Sequence, residues 1–191
     1  MSDLAIQDWP LAYEARLAER PPSAIDLVVI HCTELPDLAM AREYGERIRY
    51  PETQTGNSGH YYIDRDGRTL RFVGDLRVAH HTFQYNPRSI GIELVNRGRY
   101  PDWNDSRHQV MNEPYSAEQI ASLLALLRQL RSDYPQLRWI AGHDALDRRR
   151  EPASDNPDLL LRRRLDPGPM FPWVVVITES GLQRWPDTDA D

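Results

Sequence analysis

Hydrophobic and polar positions along the 191-residue chain alternate between two kinds of spacing. Residues 25–31 (IDLVVIH) form a short apolar run rich in β-branched side chains, which predicts a buried strand. Residues 61–64 and 69–73 flank the turn sequence Arg65-Asp-Gly-Arg68 and predict a hairpin. Residues 89–95 (SIGIELV) predict another strand, and residues 139–142 (WIAG) a short one that ends at His143. Helical spacing is clearest where Ser116 and Gln119 form a capping-box signature, followed by Ile120, Leu123, Leu124, Leu127 and Leu130. Residues 38–48 (LAMAREYGERI) also read as a helix. Residues 11–20 have helix-forming composition that Pro21-Pro22 stops. Strands and helices alternate around one hairpin, so the expected fold class is α/β, a single domain with a mixed central β-sheet flanked by α-helices. The expected organisation is an N-terminal helical extension over 1–24, the domain over 25–185 and a tail over 186–191. The segments 97–115 and 144–165 read as long loops, and loops of that length more often serve function than decoration.

Composition narrows the class without naming it. With 40% hydrophobic and 27% charged residues, the chain has the makeup of a soluble globular domain. A formal net charge of −6 gives no reason to expect a nucleic-acid partner, although arginines cluster locally. No apolar run is long enough to span a bilayer, so no membrane partner is expected. The opening residues lack a basic start followed by an apolar run. A cytoplasmic location is therefore expected, with periplasmic or phage-released alternatives left open. A single cysteine, Cys32, excludes an internal disulfide. A monomer is expected.

Candidate chemistry begins with two histidines in equivalent places. His31 ends one predicted strand and His143 ends another, and strand ends in a shared sheet converge at one edge where sites are built. Near the C-terminus the stretch 162–173 (RRRLDPGPMFPW) locks Asp166 against a Pro167-Gly168-Pro169 turn. Two imidazoles and one carboxylate suit a catalytic zinc with a fourth position open. Asp144, Asp147, Asp155 and Asp158 lie nearer to His143 in sequence and compete with Asp166 for the third place. Cys32 is excluded as a ligand, because adjacent strand residues point to opposite faces.

The segments VVIHCT, GHYYIDRDGRTLRFV, SIGIELVN, AGHDAL and LDPGPMFPW, taken in order, resemble the zinc-dependent N-acetylmuramoyl-L-alanine amidases of the AmpD-like type, which are related to peptidoglycan recognition proteins. The resemblance covers about residues 25–185. It implies one zinc per chain held by His31, His143 and Asp166, and cleavage of the amide between the lactyl group of muramic acid and L-alanine. Glu93 matches the glutamate that handles the proton of the attacking water. Arg164 matches a position where many members carry lysine and would stabilise the oxyanion, with Arg162 or Arg163 as alternatives. His81 aligns with a histidine that lines the substrate groove, and His80 stands where tryptophan is common. Gly59 departs from a phage-type branch that carries tyrosine there and lacks the glutamate, which places this chain in the glutamate branch.

The remaining histidines read as background: His60 as structural at a strand start, His108 as a surface loop residue. The family places a helix after the Pro-Gly-Pro turn, whereas residues 173–178 (WVVVIT) have strand propensity. A helix is expected, because Trp173, Val176, Ile177 and Leu182 then form one apolar stripe. The implied partner is peptidoglycan or a soluble muropeptide, with anhydro-muropeptide and intact sacculus both open. A non-catalytic binding module on the same fold is the alternative. All three ligand positions are filled, which favours the enzyme. The insertion at 148–161 is longer than the resemblance suggests.

Overall fold

The computed structural model describes residues 4–186. In chain order the elements are β1 (Ile6–Asp8), β2 (Leu27–Cys32), α1 (Leu38–Glu46), β3 (Ile48–Tyr50), β4 (Thr55–Gly56), β5 (Tyr61–Ile63) and β6 (Thr69–Arg71), then β7 (Ser89–Leu94), α2 (Ala117–Asp133) and β8 (Trp139–Gly142), and finally α3 (His143–Leu146), β9 (Arg150–Pro152), β10 (Leu160–Arg162), α4 (Trp173–Ser180) and β11 (Gln183–Arg184). Seven strands form the main sheet in the order β1-β6-β5-β7-β2-β8-β11. Only the β5–β6 hairpin is antiparallel, so the sheet is mixed, as expected.

The two faces of this sheet differ in chemistry, and the period-2 alternation of the strands decides which residue goes where. Val28, Ile30, Ile90, Ile92, Leu94 and Ile140 point to one face and pack against Leu123, Leu126, Leu127 and Leu130 of α2 and Val176 of α4. Each of those leucines is at most 1% exposed, and burying one contributes about 1.5–3 kcal/mol. The capping box reads as expected: Ser116 Oγ accepts from Gln119 N–H at 3.0 Å, and Gln119 Oε1 accepts from Ser116 N–H at 3.2 Å. α4 is the expected helix, with Trp173 and Ile177 beside the same core and Leu182 buried in it. The opposite face carries Leu27, Val29 and His31 of β2, Ser89, Gly91 and Glu93 of β7, and Ala141 of β8.

Three expectations need correction. Residues 11–20 form no helix beyond a single 3-10 turn at Glu14–Arg16. Leu11, Tyr13 and Leu17 bury in one cluster with Leu70, Phe72 and Val73 without forming a helix. The N-terminal segment is therefore no helical extension: β1 joins the sheet edge beside β6, and packing overrides propensity. The stretch 144–165 is not a plain loop, since α3 opens it and β9 and β10 pair as an antiparallel hairpin that absorbs the insertion. Of the expected tail at 186–191, residues 187–191 lie outside the described residues. No helix among the described residues is long and apolar enough to cross a membrane.

Candidate metal centre and active site

Register brings the site together. β7, β2 and β8 are neighbouring parallel strands, with His31 opposite Glu93 and Ile30 opposite Gly142. His143 follows Gly142 directly and so falls level with His31 at the carboxyl ends of the strands. Residues in one row of a parallel sheet project to the same face, which places Glu93, His31 and His143 side by side.

Asp166 reaches this row from the C-terminal segment. The turn behind it passes through Gly168, whose φ of +82° lies in the left-handed region that favours glycine. Tyr115 donates from its hydroxyl to Pro167 O at 2.7 Å, and Asp144 N–H donates to Asp166 O at 3.0 Å. These contacts aim the carboxylate between the two rings. His31 Nδ1 lies 3.1 Å from His143 Nδ1 and 3.0 Å from Asp166 Oδ2, while His143 Nδ1 lies 3.1 Å from the same oxygen. All three residues are 5% exposed or less. The second carboxylate oxygen, Asp166 Oδ1, is buried without a partner. Among the described residues, His31, His143 and Asp166 are the group of His, Cys, Asp and Glu placed to hold a metal ion.

None of the four competing aspartates belongs to this group, and Asp147 and Asp155 are committed elsewhere. Asp147 accepts from Arg149 at 2.8 and 2.7 Å and from Arg163 at 3.2 Å. Asp155 accepts from both the backbone and the hydroxyl of Ser106, each at 2.7 Å. Asp158 is exposed, and Asp144 uses its backbone to hold Asp166. Cys32 is a buried free thiol outside the group, as strand alternation requires.

Electrostatics prepare the cluster. Burial, then the neighbouring His143, lowers the His31 imidazole to about 4, so it is neutral at pH 7. Burial alone would raise the Asp166 carboxyl, yet His143 and His31 hold it well below the usual range. The site thus presents lone pairs from a neutral ring and an ionised carboxylate. Glu93, half-buried, is pushed up to about 8, first by burial and then by the charge of Asp166, with Arg164 opposing. A cation at the cluster would offset the Asp166 charge and return Glu93 towards ionisation.

The three arginines separate in space. Arg162 donates to Asp144 O and Arg163 to Asp147 Oδ2. Arg164 lines the same cleft of about 580 Å³ as Glu93 and the His–His–Asp group, and its buried Nε has no partner. His81 also lines that cleft, but both of its ring nitrogens contact protein groups, Nδ1 facing His31 Nε2 at 3.0 Å and Nε2 facing Ser89 Oγ at 3.3 Å. His60 is fully buried and accepts from Gly91 N–H at 3.0 Å, a structural role. His80 packs edge-on to Tyr50 with centroids 4.8 Å apart, and the His108 side chain is 53% exposed.

Sequence reasoning missed the clasp beneath the site. Arg99 meets Glu34 in two bonds of 2.7 Å and reaches the carbonyls of Trp103, Arg162 and Arg163 at 3.1, 3.5 and 3.3 Å. It joins the turn after β2 to the segment that carries Arg164 and Asp166. Glu34 and Arg99 are 65 residues apart, and no local pattern links them.

Fold and site together define an α/β protein with a buried two-histidine, one-carboxylate group that could hold a metal ion at the carboxyl edge of a mixed sheet. The chain belongs to the N-acetylmuramoyl-L-alanine amidase family, whose pattern matches residues 21–169. It is 31% identical over 103 residues to N-acetylmuramoyl-L-alanine amidase AmiD of Escherichia coli (strain K12), a match spanning 53% of this chain and 31% of that relative. In three dimensions it resembles N-acetylmuramoyl-L-alanine amidase LysC from Clostridium intestinale URNW, with a TM-score of 0.66 at 20% identity over 94% of this chain and 99% of that one. It also resembles AmiD from E. coli in complex with anhydro-N-acetylmuramic acid-L-Ala-D-gamma-Glu-L-Lys, with a TM-score of 0.64 at 23% identity over 90% of this chain and 62% of that one. The fold and family expectations are thereby met.

Proposed function

We propose that the protein is a zinc-dependent hydrolase of the amide bond between N-acetylmuramic acid, or its anhydro form, and L-alanine. The observation that carries this reading is the triangle of His31 Nδ1, His143 Nδ1 and Asp166 Oδ2 with edges of 3.0–3.1 Å, set beside Glu93. Zinc bonds of about 2.0–2.1 Å in a tetrahedron put neighbouring ligands about 3.3 Å apart, so the donor set and its spacing fit the ion. When bound, zinc supplies a Lewis acid that polarises the scissile carbonyl and eases deprotonation of water.

The residues of the chain do the rest. Glu93 takes a proton from the attacking water and returns it to the departing amine of L-alanine. Its place beside the cluster suits both tasks. Arg164, which lines the cleft with the cluster and Glu93, stabilises the oxyanion of the tetrahedral intermediate. The substrate class is peptidoglycan-derived; the similar AmiD binds an anhydro-muropeptide as its substrate.

Metal analysis of purified protein, then product identification on soluble anhydro-muropeptide and on intact sacculi, tests the reading. One zinc per chain and free stem peptide are expected. Asp166→Ala should lose the ion while Asp155→Ala keeps it; the reverse pattern would mean that the wrong carboxylate has been assigned. Release of no stem peptide by zinc-loaded protein would leave a binding module.

A further inference from the structure

His81 stands in the cleft as the resemblance implied, but its hydrogen bonds point inward, and their direction can be worked out from one end. Ser89 Oγ lies 2.8 Å from Tyr85 O. A carbonyl only accepts, so the serine proton is spent there. The serine oxygen then offers lone pairs alone to His81 Nε2 at 3.3 Å, and that nitrogen must carry the ring proton. With its one ring proton on Nε2, the neutral His81 imidazole is left with a bare Nδ1. That Nδ1 faces His31 Nε2 at 3.0 Å, so His31 is the donor and carries its proton on Nε2. Thr82 Oγ1 stands beside this contact, 3.1 Å from His81 Nδ1 and 3.4 Å from His31 Nε2.

The consequence lies at the far end of the chain of bonds. His31 Nδ1 has no proton and turns its lone pair towards Asp166 Oδ2 and the His143 ring. Two features of the fold hold His81 in this role. Its ring lies flat on Gly91, where a Cβ would come within 2.6 Å of His81 Cγ and 2.7 Å of Nδ1. Asn86 Oδ1 accepts the backbone N–H groups of both His81 and Thr82, at 3.1 and 2.7 Å.

We propose that His81 is a positioning residue for the metal centre and no substrate contact: with Ser89 it selects the His31 tautomer whose Nδ1 is free to bind the ion. The inference rests on the reading that zinc occupies the His31–His143–Asp166 group. Outer partners of this kind tune metal affinity by about 10–100-fold.

The test is zinc titration of metal-free protein against a chromophoric competitor, with kcat and KM on soluble anhydro-muropeptide measured alongside. His81→Phe should weaken zinc binding by about 10–100-fold and leave KM of the zinc-saturated enzyme unchanged. His81→Asn, which keeps an acceptor near the Nδ1 position, should recover most of the affinity. Ser89→Ala, a small change that spares folding, should weaken binding in the same direction by less. Wild-type zinc affinity in both His81→Phe and Ser89→Ala overturns the proposal, and a raised KM with unchanged affinity returns His81 to the substrate. Should His81→Phe not fold, unchanged affinity in Ser89→Ala overturns it alone. Wild-type protein that takes up no zinc rejects the metal reading itself, a separate and recognisable failure.

Discussion

Glu93 lies across Gly59 so closely that a Cβ on the glycine would stand 2.8 Å from Glu93 Cγ and 3.2 Å from Gly91 O. The glutamate keeps its place because residue 59 has no side chain. A bulky residue there and a glutamate at 93 cannot both be accommodated, which gives the departure at Gly59 a steric cause. Gly59→Ala should therefore displace Glu93 and lower kcat by about 10²-fold, the scale of a 1 Å misplacement. Zinc content, measured by metal analysis, should not change. Full turnover in Gly59→Ala would show that Glu93 tolerates the shift.

Glu93→Gln keeps the shape and removes the ionisable proton carrier. Turnover should fall by about two to four orders of magnitude with zinc still bound. Near-normal turnover on anhydro-muropeptide would take the proton-handling role away from Glu93.

The arginines should separate in kinetics as they do in space. Arg164→Ala should lower kcat by about 10²–10³-fold with little change in KM, because the charge it meets develops in the transition state. Arg164→Lys should keep substantial activity, since the charge remains. Arg162→Ala and Arg163→Ala should be mild, their side chains being engaged with Asp144 O and Asp147. Three equally mild alanine variants would make the block a charged loop face and nothing more.

The Glu34–Arg99 pair should show its burial in stability. The two side chains are 7% and 1% exposed, so removing either leaves an uncompensated charge in the interior. Glu34→Ala and Arg99→Ala should each lose about 3–5 kcal/mol in urea unfolding. The double variant should lose less than the sum. Additive losses would mean that the pair is not coupled.

Stability of the metal-free protein should peak slightly above pH 6.5. Burial, then the charge of Arg20, keeps His60 far below its ordinary value; burial lowers His81 likewise, and His31 to about 4. The unfolded chain, with histidines near 6.5, therefore binds more protons below that pH, and stability falls as pH drops towards the folded values. Glu93 acts oppositely: raised to about 8 in the fold, it contributes stability that is lost as pH rises to that value. Three histidines outweigh one glutamate on the acid side, at about 1.4 kcal/mol per pH unit for each proton. Urea midpoints measured from pH 5 to 8.5 check this, and a midpoint that keeps rising down to pH 5 would reverse the assignment.

The sequence by itself determined the elements whose pattern is local. The capping box at Ser116 and Gln119, the leucine spacing of α2, the hairpin turn at Gly67 and the β-branched run of β2 carry their own signals. It also indicated that His31 and His143 end strands and that Asp166 is locked by a turn. It misread residues 11–20, because helix-forming composition yields when Leu11, Tyr13 and Leu17 can bury in the cluster around Leu70, Phe72 and Val73 without a helix. What only the tertiary structure decided is register and long-range pairing. Side chains of a strand alternate, so a shift of one residue between β2, β7 and β8 would turn His31 away from Glu93 and His143. The proposed choice of Asp166 over four nearer aspartates, of Arg164 over two neighbours, and of an inward role for His81 all draw on that tertiary arrangement. Such choices rest on contacts between residues 23 to 135 positions apart, and neither composition nor periodicity reports on contacts of that range.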